Sequence, residues 1–421
     1  MKTPSHARRH DLVSMLLDPV MERGDGKRAA LRWSGSWWSY AELAAAARSA
    51  AGWLRESGVR RGDVVLVVEP DGPAWVALFL GLSRIGAVAA LASPDLPPAR
   101  KMAAAAHLAP DVVVAEGPVA QSAPRALRID DMRRAIYHGQ ADPGPASVRR
   151  GDPAYLLLTS GSTGHARWAR HRVGDIPACI ATYGRRVLQL RPEDVAWSVA
   201  SLSTSYGLGN LLYFPLGAGA TAVLTDRGTT PEACATDCAH FGVTALFGMP
   251  TSWARLARHV EDGRVRPQQL RTVRLAVSAG EPLPPAVWSA VERTLGLRLV
   301  DGLGSSEASN LFLSARPGGA RPGTVGWPVP GYEVRLRPLP GDDDPREGEL
   351  LVRGPTIMDG YAAEDGIGPV DWQGWLATGD VVRREADGRY RFMHRRGDRF
   401  KTGGLWVDVP RVQPPSCPTR T

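Results

Sequence analysis

Lysine is scarce in this sequence of 421 residues: only four of its 51 basic residues are lysine, Lys2, Lys27, Lys101 and Lys401. The arginines are scattered among 43 acids, so the net charge of +8 does not describe a basic stripe tracking nucleic-acid phosphates. Arginine in place of lysine, beside abundant Ala, Gly and Pro, reads as GC-rich coding. No nucleic-acid partner is expected, and an anionic small molecule is compatible with the charge. Cysteine is scarce too. Cys179, Cys234, Cys238 and Cys417 make no disulfide framework in so long a chain. Cys234 and Cys238 share a helical face near His240, but no second ligand pair accompanies them, so small-residue packing is preferred over zinc. No run of about 18 apolar residues marks a membrane span. The start, "MKTPSHARRHDLVSMLLDP", lacks a signal-peptide core, and a cytoplasmic location is expected.

What is present is alternation. "SYAELAAAARSAAGWLRESG" starts on Ser, stops at Gly and reads as a helix. "DVVLVVE" reads as a buried strand, "AWVALFLGLSRIG" as a helix and "AVAALAS" as the next strand. The middle continues with "AYLLLT", "TALFGMP", "VRLAVSAGE" and "LRLVDGLGSSE", apolar runs that each end in Gly, Ser or an acid. Such alternation predicts an α/β fold of helix-covered, mostly parallel sheets, and the length predicts more than one subdomain. Ligands of such sheets bind beyond the carboxyl ends of strands. After Gly323 the pattern changes to short period-two strands, "GTVGWPVPGYEVRLRPLP", "EGELLVRGP" and "GRYRFMHRR", which predicts a small β-barrel.

The loop in "LLLTSGSTGHARWARH" offers hydroxyls and amides from Thr159, Ser160, Gly161, Ser162, Thr163 and Gly164, a nest suited to phosphate oxygens. It lacks the Gly-Lys-Ser/Thr of a P-loop, and no Gly-x-Ser-x-Gly elbow occurs anywhere. Arg167 adds a fixed cation. Glu307 in "DGLGSSE" suits Mg²⁺ on a triphosphate, and Asp380 in "WLATGD" suits two ribose hydroxyls. Each also has a bland reading, as a flexible loop, a solvated acid or turn chemistry.

In order, "TSGSTG", "SAGE", "DGLGSSE", "ATGD" and "RRGDRFKTGG" resemble the adenylate-forming superfamily of acyl-CoA synthetases, adenylation domains and luciferases. The match runs from "WWSYAEL" to "LWVDV". "SYGLGNLLYFPLGAGATAVL", "FGMPTSWA" and "GTVGWPVPGYEVRL" look most like benzoate-CoA ligase and its aryl-acid relatives. The resemblance implies the large N-terminal domain of these enzymes: two helix-covered, mostly parallel sheets plus a small β-barrel, over residues 1–396. It also implies ATP-dependent activation of an aromatic carboxylic acid, with release of pyrophosphate and transfer to a thiol of CoA or of a phosphopantetheinyl carrier protein. Thr159 to Gly164 would cradle the ATP phosphates, with Arg167 where the family usually has Lys. Gly280, Glu281 and Pro282 would line the adenine, with Asp301 and Gly302 beneath it. Ser306 would touch the α-phosphate, Glu307 would hold Mg²⁺, and Asp380 with Arg395 would take the ribose. Ser205, Tyr206 and Gly207 would shape the acid pocket, with Ala279 and Gly304 as walls. Asn310 stands where benzoate ligases carry His, which weakens plain benzoate and leaves substituted aryl acids open.

The chain departs from the family pattern in two places. Trp168 puts bulk at a flexible position, which would slow loop movement. The family's C-terminal lid domain is expected to be absent, with 397–421 a hinge remnant, Gly397 in place of the hinge acid, and an aberrant tail "QPPSCPTRT". One inserted G after a Gln413 codon turns a GC-rich version of that tail into Gln-Ala-Ala-Leu-Leu-Pro-His-Pro-Asp, the family's helix, so a frameshift is the preferred reading over a natural ending. Without a lid, weak adenylation and little thioester formation are expected. Two other readings stay open: an adenylate passed to a non-thiol acceptor, and a lidless module that only binds nucleotide or a partner.

Overall fold

The computed structural model describes residues 10–159, 167–341, 344–362 and 368–396, and the backbone of the strands Arg399–Thr402 and Leu405–Asp408. The rest of the expected hinge remnant and tail lies outside the described residues.

The predicted first helix spans Tyr40–Glu56. The Glu42 N–H donates to the Ser39 hydroxyl (3.1 Å) and the Ser39 N–H to the Glu42 carboxylate (2.8 Å), a reciprocal cap that fixes the start. Its alanines let the helix Pro73–Ile85 pack closely: a Cβ on Gly81 would lie only 3.0 Å from the Ala51 nitrogen. Pro73–Ile85 packs on a seven-stranded sheet ordered 361–362, 167–172, 153–159, 88–91, 64–68, 112–115, 126–127, while Tyr40–Glu56 also meets the strands 29–33 and 36–39 of a second sheet. A nine-stranded sheet runs in the order 327–328, 311–314, 299–304, 275–278, 245–248, 195–198, 221–223, 29–33, 36–39. Its central strands pair parallel, as their uninterrupted apolar runs predict. The small β unit after Gly323 is a four-stranded antiparallel sheet ordered 333–337, 347–353, 376–384, 390–395. Register there sets Asp380 opposite Arg395.

The segment after the glycine loop, Arg167–Arg172, is a strand antiparallel to Pro153–Thr159. The loop therefore joins a hairpin, whereas a P-loop leads from strand to helix. Trp168 is fully buried with its indole N–H donating to the Ala104 carbonyl (3.1 Å), so its bulk is anchored in the core. Cys234 and Cys238 are buried on the helix Pro231–Phe241, and no metal-ligating cluster occurs among the described residues. No described helix is long and apolar enough to cross a membrane.

Just after the strand Val64–Val68, Glu69 is buried with one carboxylate oxygen lacking a protein partner among the described residues. Burial pushes its pKa from the ordinary 4.5 up to about 7. The folded chain therefore holds a proton that the unfolded chain releases as pH rises between those values, so stability from this group falls across that window. Glu69→Gln is expected to raise the melting temperature more at pH 8 than at pH 5. Thermal melts at the two pH values check it, and an equal shift at both would contradict it.

Candidate active site

A cavity of about 780 Å³ lies beyond the carboxyl ends of the strands Leu275–Ser278 and Leu299–Gly304, with the four-stranded sheet forming another wall. Thr159 and Arg167, which flank the glycine loop, line it. The loop residues expected to hold phosphate, Ser160, Gly161, Ser162, Thr163 and Gly164, lie outside the described residues. Gly280, Glu281 and Pro282 reach the cavity from the strand end 275–278. Gly280 has φ of +90°, a backbone region open to glycine, and turns the chain at that point. Glu281 accepts from the Thr251 N–H and hydroxyl, both at 3.1 Å, which fixes the turn over the helix Pro250–Glu261.

Gly302, Gly304, Ser306 and Glu307 line the same cavity. Tyr361 donates its hydroxyl to Glu307 Oε1 (3.0 Å), and the Arg167 guanidinium sits 5.1 Å from the centre of the Tyr361 ring. Burial, then the nearby Glu307 charge, pushes the Tyr361 phenol well up, so it remains a donor. Arg167 and Glu307, 140 residues apart in sequence, are thus bridged by one tyrosine. Sequence reasoning missed Tyr361, which sits in "MDGYAA" with nothing local to mark it.

Asp380 is 2% exposed, and its Oδ1 accepts from Arg395 Nε (2.9 Å). Burial raises its carboxyl above the ordinary range although Arg395 opposes this. Its second oxygen has no protein partner among the described residues, and the same holds for the Thr159 and Ser305 hydroxyls in the same cavity wall. Three buried polar atoms left without protein partners around one cavity fit a polyhydroxylated, phosphorylated ligand, since such groups are normally satisfied. Asp301, expected beneath the adenine, is buried, its carboxyl raised by burial and one oxygen without a protein partner among the described residues.

Of the expected acid-pocket residues, Ser205 and Gly304 line the cavity. Tyr206 is partly buried, its hydroxyl 3.3 Å from the Gly248 carbonyl and 3.4 Å from that of Val277. Gly207 is required by packing, since a Cβ there would sit 1.9 Å from the Ser201 carbonyl oxygen. Ala279 is buried beside the turn at Gly280. Asn310 is buried at the back, donating to the Tyr213 hydroxyl (3.1 Å) while its own oxygen accepts from the Leu311 N–H (2.8 Å).

Residues 20–362 match the family model of the AMP-binding enzymes. The chain is 34% identical over 384 residues to an anthranilate–CoA ligase of Pseudomonas aeruginosa, covering 85% of this chain and 72% of that one. It is also 34% identical over 367 residues to the p-hydroxybenzoic acid–AMP ligase FadD22 of Mycobacterium tuberculosis, covering 86% of this chain and about half (51%) of that one. The crystal structure of the anthranilate CoA ligase AuaEII in complex with anthranoyl-AMP superposes with a TM-score of 0.87 at 28% identity, over 97% of this chain and 81% of that one.

Proposed function

The chain belongs to the AMP-binding enzymes, and from that membership we propose that it activates an aromatic carboxylic acid with ATP and passes the acyl group to a thiol, CoA or a carrier protein. The observation that carries this reading is the gathering of Arg167, Tyr361, Glu307 and the unpartnered Asp380 oxygen in one cavity. A free carboxylate acylates poorly because its leaving group would be oxide. Attack of a carboxylate oxygen on the α-phosphorus of ATP forms the acyl–phosphate bond and breaks the bond to pyrophosphate. A thiol sulfur then takes the acyl carbon and AMP leaves.

The residues have little covalent work to do. Their contribution is position and charge placement. Arg167 places a fixed cation where charge builds on phosphate oxygens. Asp380, held by Arg395, presents its free oxygen to the ribose hydroxyls. Glu281 and Gly280 bound the adenine side, and Ser205 with Tyr206 bounds the acid side. Mg²⁺ fits at Glu307, whose carboxylate Tyr361 orients, and when bound it would neutralise phosphate charge there.

Pyrophosphate exchange into ATP, measured over a panel of acids, tests the reading. Benzoate, 2-aminobenzoate and 4-hydroxybenzoate are expected to support faster exchange than fatty acids or amino acids. Equal rates across the panel would remove the aryl assignment, and ATP binding without any acid-dependent exchange would favour a nucleotide-binding module.

A further inference from the structure

Ser306 and Glu307 sit on a single turn, Ser306–Ala308, followed by Ser309 at φ of +62°, a left-handed conformation that strains a non-glycine residue. Three successive carbonyls of this turn accept from two segments, the loop 356–358 and the strand 167–172. The Glu307 oxygen takes the Met358 N–H (2.8 Å), the Ala308 oxygen the Thr356 hydroxyl (2.6 Å), and the Ser306 oxygen His171 Nε2 (2.7 Å). Only His171, of these donors, belongs to the strand that carries Arg167.

His171 is wholly buried, its ring stacked on Tyr155 with centroids 4.9 Å apart. Its Nδ1 lies 3.2 Å from Asp175 Oδ2, and Asp175 is itself pinned by the Arg172 N–H (3.1 Å) and side chain (3.3 Å). A carbonyl oxygen only accepts, so the Ser306 contact uses a proton on Nε2, and the Nδ1–Asp175 contact, which as a hydrogen bond needs one shared proton, sets the orientation of the ring. Residues 167, 169 and 171 share one strand face, and Tyr361 pairs with Ala169 between the other two. That face therefore meets the turn twice, through Tyr361 at the Glu307 carboxylate and through His171 at the Ser306 carbonyl.

We propose that His171, oriented by Asp175, is a positioning residue that holds the Ser306–Glu307 turn in register with the strand bearing Arg167. The proposal rests on the adenylation reading of the cavity. It gives Glu307 its place relative to the phosphates without itself touching substrate.

Two amides divide the imidazole's functions. His171→Gln puts its N–H₂ where Nε2 stood and can still donate to the Ser306 carbonyl. His171→Asn reaches only to the Nδ1 position. In the full chain, His171→Asn is expected to lower the exchange kcat about tenfold and to raise the Mg²⁺ needed for half-maximal rate, the scale typical of lost outer-shell support. The KM for the acid should stay unchanged, and His171→Gln should remain close to wild type. Asp175→Ala, which frees the ring, should show the same effects at smaller size, and it serves as the test variant if His171→Asn does not fold.

Calorimetry of ATP binding with and without Mg²⁺ gives a second readout that needs no turnover. The gain in ATP affinity on adding Mg²⁺ should shrink in His171→Asn and persist in His171→Gln. Equal losses in both variants, in step with their melting temperatures, would overturn the proposal and leave His171 a core residue only. A wild type without exchange on any acid would remove the adenylation reading, while the calorimetric comparison would still decide the role of His171.

Discussion

Glu307→Gln is expected to lower acid-dependent pyrophosphate exchange about 100-fold, with little change in the binding of metal-free ATP. Glutamine has the same shape and keeps an oxygen to accept from the Tyr361 hydroxyl, so the turn should stay in place. What it loses is the charge that would face Mg²⁺. The loss should therefore appear as a steeper Mg²⁺ requirement, not as a lower melting temperature. Exchange rates measured against Mg²⁺ concentration check this, and an unchanged Mg²⁺ dependence would remove Glu307 from the metal.

Asp380→Asn is expected to weaken ATP binding by about ten- to a hundred-fold, the scale of one or two hydrogen bonds to a charged acceptor. The asparagine oxygen can keep the Arg395 contact that Asp380 Oδ1 now accepts, while its amide nitrogen replaces the unpartnered Oδ2. A buried acceptor in the cavity wall thus becomes a donor. Stability should not suffer, because burial already disfavours the charged form of this carboxyl. Calorimetry with ATP and with 2′,3′-dideoxy-ATP separates the ribose role from other causes. Wild type should discriminate between the two nucleotides and Asp380→Asn should not. If the variant loses equal affinity for both, the ribose assignment is wrong.

These two expectations draw on different sources. Glu307 and Asp380 could be read from their motifs, because a Gly-rich turn after an apolar strand places a carboxylate at a strand end whatever surrounds it. The alternation of apolar runs with Ala-rich helical stretches likewise determined the two covered sheets, and the shift to period-two patterning after Gly323 determined the antiparallel unit. Local chemistry carries such information, since strand and helix periodicities and turn glycines act over a few residues.

Tertiary structure alone decided what stands next to what. Tyr361 reaches Glu307 only because the strand 361–362 pairs with the strand 167–172, a contact spanning almost 200 residues of sequence. His171 reads as one more basic residue in "ARWARHR" until that strand places it, fully buried, between Asp175 and the Ser306 carbonyl. Asn310 reads as a pocket residue, and that its amide meets the Tyr213 hydroxyl follows only from the fold. Sequence fixes what a side chain can do over a few residues. Which unsatisfied atom it meets depends on the register of distant strands, which no local pattern records.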